Sequence, residues 1–284
     1  MEAARASLVE SLKRQGIIRS RRVEEAMLRV PRELFVWPGT EDRAYDDVPL
    51  PLGGTGQTIS APHMVAIMLE ELGVREGDSV LEVGSGSGYN AALLAELAGR
   101  EGSVVSVERL PGLVEFARRN LARAGYADRV SVVLGDGSIG YPPRLARPLY
   151  DRIVVTASAP RIPHYLQAQL REGGVLLIPI GPPGYQVLTR VRRVGGSFHR
   201  EELMGCVFVP LVGEDGYPAG GDGGVQGPSE RERDPQDNAR GDHGGRAHAE
   251  GALHNRGLGR QGRRWPQRRD EGPHKGRRKA ALRA

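Results

Sequence analysis

The sequence predicts an α/β fold: a doubly wound, mostly parallel sheet with helices on both faces and antiparallel strands at its C-terminal edge. Three observations predict it. Short apolar, β-branched runs alternate with helix-forming runs from residue 79 onward, the pattern of a parallel sheet with helical crossovers. A glycine turn, with Gly84, Gly86 and Gly88 at alternate positions, joins the first of these strands to the first of these helices. Two further strand-like runs, near 186–194 and 202–210, read as an antiparallel pair that makes the sheet mixed at its edge.

The elements before the alternation are helical. Leu8, Val9 and Leu12 form a narrow apolar stripe over 3–15, and Gly16 ends it. Ser20 is placed to cap a second helix whose buried face is Val23, Ala26, Met27 and Val30. Pro31 opens a short helical turn within 30–36. Residues 46–56, rich in Pro and Gly, read as an ordered loop. A helix to about Leu72 follows, with Pro62 in its first turn and Ser60 as its expected cap. From there the sequence predicts strands at 79–83, 103–108, 130–134, 152–156 and 175–179, and helices at 89–97, 111–123 and 163–170. Crossovers between parallel strands should be right-handed.

Charge divides the chain. Residues 1–219 hold 25 Lys and Arg against 26 Asp and Glu, whereas 220–284 hold 15 against 9. The basic balance therefore belongs to the C-terminal segment and gives the main body no nucleic-acid footprint. In 220–284 apolar residues are sparse (Val225, Leu253, Leu258, Trp265, Leu282), too few to offset the entropy of ordering. The expected organisation is one domain at 1–219 and a disordered basic tail at 220–284. The tail's charge suits phosphate contacts, but Trp265 is its only aromatic residue, and a plain solvated tail is favoured. Cys206 is the only cysteine, which excludes an intrachain disulfide and fits a reducing cytoplasm. The first fifteen residues lack the apolar core of a secretory leader, and no apolar run reaches the length of a membrane span. No metal site is expected. The excess of arginine over lysine (only Lys13, Lys275 and Lys279) fits a GC-rich genome as well as heat adaptation.

The glycine turn carries the chemistry. A strand, a tight turn and a helix start bring free backbone N–H groups and the positive helix end to the carboxyl edge of the sheet, where an anionic ligand group can sit. A dinucleotide fingerprint requires a third glycine at position 89, where this chain has Tyr89, and a nicotinamide oxidoreductase is disfavoured. Acidic residues stand at Glu82 before the turn, at Glu108 where the second parallel strand ends, and at Asp136 after the third. All fall at or beside the strand ends where ligands of such sheets bind.

With Glu82 upstream, the Gly84-Ser85-Gly86-Ser-Gly88-Tyr89-Asn90 turn resembles the donor-binding loop of S-adenosylmethionine-dependent methyltransferases. That resemblance implies S-adenosyl-L-methionine as cofactor, its methionine part at the loop and its ribose hydroxyls on Glu108, beside Arg109. Its adenine would meet Asp136 and the Gly137 N–H. For Glu82, orienting the loop, reaching the donor's ammonium through water and tying loop N–H groups together stay open as alternatives.

A more specific resemblance is to the protein-L-isoaspartate O-methyltransferase family. It rests on Gly-Gln-Thr-Ile-Ser-Ala-Pro-His-Met at 56–64, the glycine turn, Gly-Asp-Gly at 135–137 and residues 176–181. Val-Pro-Arg-Glu-Leu-Phe-Val at 30–36 and Met-Gly-Cys-Val-Phe-Val-Pro-Leu at 204–211 add to it. It covers roughly 8–212 in the family's order, and the Thr-Ile-Ser-x-Pro element is its specific part. It implies a Rossmann-like methyltransferase fold that departs from the common order in its last strands. It implies methyl transfer to the α-carboxylate left free by an isoaspartyl linkage in damaged proteins and peptides, after which the ester closes to a succinimide. Ser60 takes the family's active-site serine position. Thr58, Ile59 and His63 would line the substrate pocket, and the strand around 207–211, Val207 included, would hold the peptide. His63 has an alternative as a packing residue against the following helix. A monomer is expected. A methyltransferase of the same core acting on RNA or a small molecule, anchored by the tail, and a donor-binding module without transfer are the competing readings.

Overall fold

The computed structural model of the protein describes residues 1–219. The expectation of a disordered tail at 220–284 lies outside the described residues. Two helices open the chain, α1 (Glu2–Arg14) and α2 (Arg21–Arg29). The Ser20 side chain accepts from the Val23 N–H and starts α2 as its sequence position predicts. A single 3-10 turn at Arg32–Leu34 follows.

The stretch 46–56, expected to be an ordered loop, holds the first strand of a small antiparallel pair whose second strand lies just beyond it. Strand β1 (Leu50–Pro51) pairs with β2 (Thr58–Ile59), and the Leu52 N–H donates to the Gln57 carbonyl inside the turn. Two residues per strand leave no alternation to read, so the sequence gives no strand signal there. Helix α3 (Pro62–Leu72) comes next, with Pro62 in its first turn. Its cap differs from expectation. The N-cap position is Ala61, and the His63 N–H instead donates to Asp47 Oδ1 at 2.8 Å.

The alternation then proceeds through β3 (Ser79–Val83), α4 (Tyr89–Ala98), β4 (Ser103–Glu108), α5 (Pro111–Arg123), β5 (Val130–Leu134), β6 (Tyr150–Val155) and α6 (His164–Ala168). Three long strands close it: β7 (Leu170–Ile180), β8 (Gln186–Val194) and β9 (Ser197–Cys206). The sheet has seven strands in the order β5-β4-β3-β6-β7-β8-β9. Pairing is parallel from β5 to β7 and antiparallel from β7 to β9. β3 is the middle one of the five parallel strands, with Val80, Leu81 and Val83 buried, and each such side chain contributes ~1.5–3 kcal/mol by leaving water.

Two elements differ from the expected bounds by more than two residues. α6 stops at Ala168 and β7 begins at Leu170, five residues earlier than predicted, because the strand runs through Gly173 and Gly174. β9 covers 197–206 instead of 202–210. It ends where the Phe208 N–H leaves the ladder and donates to the buried Gln186 side chain at 2.8 Å. The chain then crosses to the end of β6, where the Ser158 N–H donates to Val209 O and the Leu211 N–H to Ser158 O, both at 2.8 Å. Residues 207–211 are thus an extended strip along the carboxyl edge and not a strand of the hairpin.

Candidate active site

One cleft opens at the carboxyl edge of the parallel strands, with an enclosed and solvent-open space of about 890 Å³. Its floor is the β3–α4 connection. Gly84, Gly86 and Gly88 all hold positive φ (99°, 53° and 88°), so the turn needs residues without a Cβ. At Gly84 a Cβ would lie 2.3 Å from Thr156 Oγ1. That hydroxyl donates to the Gly84 and Val83 carbonyls and ties the turn to the end of β6. Gly84, Ser85, Gly86, Tyr89 and Asn90 line the cleft, while Gly88 lies behind it against Ala117 and Leu121 of α5.

The three acids have separate surroundings. Glu108, at the end of β4, lines the cleft and accepts from the Gly86 N–H and the Leu110 N–H, each at 3.0 Å. Arg109 beside it is exposed and also lines the cleft. Glu82 lies fully buried beneath the turn. It accepts from the Asn90 side chain at 2.8 Å and from Ser106 Oγ, which in turn contacts Ser85 Oγ. It thus ties side chains of the loop region, not loop N–H groups. Burial pushes its carboxyl up to about 7, opposed by those two hydrogen bonds. Asp136 does not line the cleft. Its Oδ1 accepts from the Ser138 N–H and hydroxyl, and its Oδ2 accepts from the Glu214 N–H. The carboxylate expected to meet a purine holds the 213–215 loop, and its neighbour Gly137 lines the cleft.

Facing the turn across the cleft stand Gln57, Thr58, Ile59 and Ser60. The β1–β2 pair carries Thr58 and Ile59, and the entry to α3 carries Ser60. His63 is held away from the cleft lining, its Nδ1 2.9 Å from Asp47 Oδ1, which also takes the His63 N–H. It belongs to the first turn of α3, which Asp47 caps from an earlier part of the chain. Val207 stands 68% exposed outside the cleft, and Val209, Pro210, Leu211 and Val212 form the wall in its place. The shift of two residues follows from the early end of β9.

Arg32 and Thr156 had no role in the sequence reading. Arg32 is fully buried, and its side chain donates to the Ala44 and Ser60 carbonyls at 2.8 and 2.9 Å. A buried ion costs several kcal/mol, on the order of 3–5 when left unpaired, so this placement is held by the surrounding structure. Its only sequence signal was membership of the run at 30–36. Thr156 could have been found by its place at the carboxyl end of the strand next to β3.

A mostly parallel sheet with a glycine turn at its central strand, an acid at the neighbouring strand's end and antiparallel edge strands is the Rossmann-like methyltransferase fold. The solved structures agree. A protein-L-isoaspartate O-methyltransferase described as putative, from Plasmodium falciparum and in complex with S-adenosyl-L-homocysteine, matches with a TM-score of 0.66 at 32% identity, over 73% of this chain and 98% of that one. The chain belongs to the protein-L-isoaspartate(D-aspartate) O-methyltransferase family, whose model matches residues 3–216. Curated relatives named protein-L-isoaspartate O-methyltransferase include one from Methanopyrus kandleri, 54% identical over 75% of this chain and 93% of the relative. Another, from Thermococcus onnurineus, is 54% identical over 74% of this chain and 93% of the relative. Among the described residues no helix is long and apolar enough to cross a membrane.

Proposed function

We propose that this chain transfers a methyl group from S-adenosylmethionine to the free α-carboxylate of L-isoaspartyl residues in damaged proteins and peptides, the step that starts their return to aspartate. One observation carries the reading: the Gln57–Ser60 segment and the glycine turn line one and the same cleft. Family membership supports the same substrate.

The cleft fits the donor. Bare backbone at Gly84 and Gly86 accepts the amino-acid end, and Glu108 keeps lone pairs free for a ribose diol beyond the two N–H groups it already holds. Gly137 offers a backbone group for the base, and Asp136 acts behind it by holding the 213–215 loop. When bound, the donor supplies a methyl group activated by a sulfonium.

The rest falls to this chain. A carboxylate, with a reference pKa near ~4, is already ionised at neutral pH, so no general base is required. The task is alignment and exclusion of water. Ser60 and Thr58 offer hydroxyls that orient a carboxylate oxygen without the tight pairing a Lys or Arg would impose. Ile59, Val65, Met68 and Leu211 keep the path apolar. Ser60 acts as a positioning donor and not as a nucleophile. We take 1–219 as the catalytic unit, working as a monomer in the cytoplasm.

The test is transfer of a labelled methyl group to an isoaspartyl peptide, to its normal-aspartyl twin and to RNA. Label in the first alone is expected. Label in RNA alone would sink the proposal in favour of the second reading, and donor binding without transfer would make the chain a binding module.

A further inference from the structure

Arg32 reaches both walls of the cleft without lining it. β2 ends at Ile59, and the first helical acceptor of α3 is Ala61, whose carbonyl takes the Val65 N–H. The Ser60 carbonyl falls between the two ladders, and its anchor is Arg32 Nη2 at 2.9 Å. The same guanidinium is fixed by a second bond, from Nε to the Ala44 carbonyl at 2.8 Å. Its Cζ lies over the ring of Tyr89, 5.0 Å from the centroid. Tyr89 is the first residue of α4, directly after the glycine turn, and it lines the cleft.

One rigid plane therefore references the acceptor-side backbone and the donor-side helix start to each other. A planar fork with several fixed donors can do this, whereas an ammonium is a point donor on a flexible stem. The hydrogen bonds of Arg32 go to backbone carbonyls and not to a carboxylate, which leaves its orientation to the two segments it joins. We propose that Arg32 is a positioning residue for methyl transfer: by holding the Ser60 carbonyl and stacking on Tyr89, it sets the distance between the acceptor-orienting hydroxyl and the donor loop. The inference rests on the role given to Ser60 under the proposed function.

The test is a double-mutant cycle in the full-length protein with an isoaspartyl peptide as acceptor. Turnover is normalised to the folded fraction from circular dichroism, and S-adenosyl-L-homocysteine binding is measured alongside. Ser60→Ala alone should lower kcat by about 100-fold with the product's Kd within about threefold. Arg32→Lys alone should lower kcat by about 10–100-fold, again with Kd within about threefold, because a displacement near 1 Å has that effect on transfer. In the Ser60→Ala background, Arg32→Lys should cost less than about threefold, since residues acting through one another are not additive. Arg32→Gln is carried through the same cycle as the second variant.

An equal loss from Arg32→Lys in both backgrounds would overturn the inference and leave the Ser60 role standing. So would kcat and product affinity falling in step. Failure of both Arg32 variants to fold would make the residue a folding strut and overturn it as well. Unchanged turnover in Ser60→Ala would remove the Ser60 role and this inference together.

Discussion

On one side of the cleft, the β–α turn between Gly84 and Asn90 presents mostly backbone, joined by Glu108 at the end of β4 and Gly137 after β5. On the other side, Thr58 to Ser60 and the strip from Val209 to Val212 come from two distant parts of the chain. On the proposed reading, the donor side is centred on one turn and made largely of main chain, while the acceptor side is assembled at long range. A nucleotide donor is one fixed shape, which adjacent strand ends of one sheet can match. A damaged peptide is variable, and its carboxylate must be brought to the donor from outside, so its wall is gathered where the fold places free segments.

This contrast can be broken at its strongest point by Gly84→Ala. A Cβ there would stand 2.3 Å from Thr156 Oγ1 on a backbone with φ of 99°. Loss of about 2–4 kcal/mol of unfolding free energy is expected in a urea melt, together with loss of donor binding. A variant of unchanged stability and donor affinity would mean that the turn is not fixed as described.

The second test concerns the acid beneath the turn. Glu82 ionises near 4.5 when unfolded and about 7 when folded, pushed up by burial. Below 4.5 both states hold the proton. Between the two values the native state keeps a proton that the unfolded chain releases, so stability falls as pH rises from about 4.5 to about 7 and then levels. The full drop is at most about 3 kcal/mol. Glu82→Gln should remove that slope in denaturation midpoints measured from pH 4.5 to 8. An identical slope in the variant would assign it to other groups.

The smallest effect belongs to the acceptor side. Gly56 also has positive φ, 71°, but a Cβ there meets nothing within 4 Å. Gly56→Ala should cost only about 1–2 kcal/mol, the strain of the left-handed conformation alone. A cost equal to that of Gly84→Ala would erase the difference between the two walls.

The same difference decided what the sequence disclosed. The glycine turn, Glu108 and the parallel strands were legible because each is a local pattern with a fixed period or spacing. Ser60 was legible only through a motif, and its expected capping role was taken by Asp47, thirteen residues earlier in the chain. Asp136 stood at the expected strand end but turned to the 213–215 loop, a partner no local pattern announces. Arg32 was invisible as a functional residue because its partners, Ala44, Ser60 and Tyr89, are brought to it only by the tertiary fold. Val207 missed the cleft because a side chain, Gln186, ended β9 where the backbone pattern would have continued it.

The Gln186 contact has a consequence for how such a protein can diversify. Its amide stands in for a strand neighbour at Phe208 and frees the following residues from the hairpin's two-residue alternation. Changes at Val209 and its neighbours alter the cleft wall and leave the β8–β9 ladder, which ends at Cys206, untouched. The frame is inherited whole, while the lip that greets each incoming polypeptide stays open to revision.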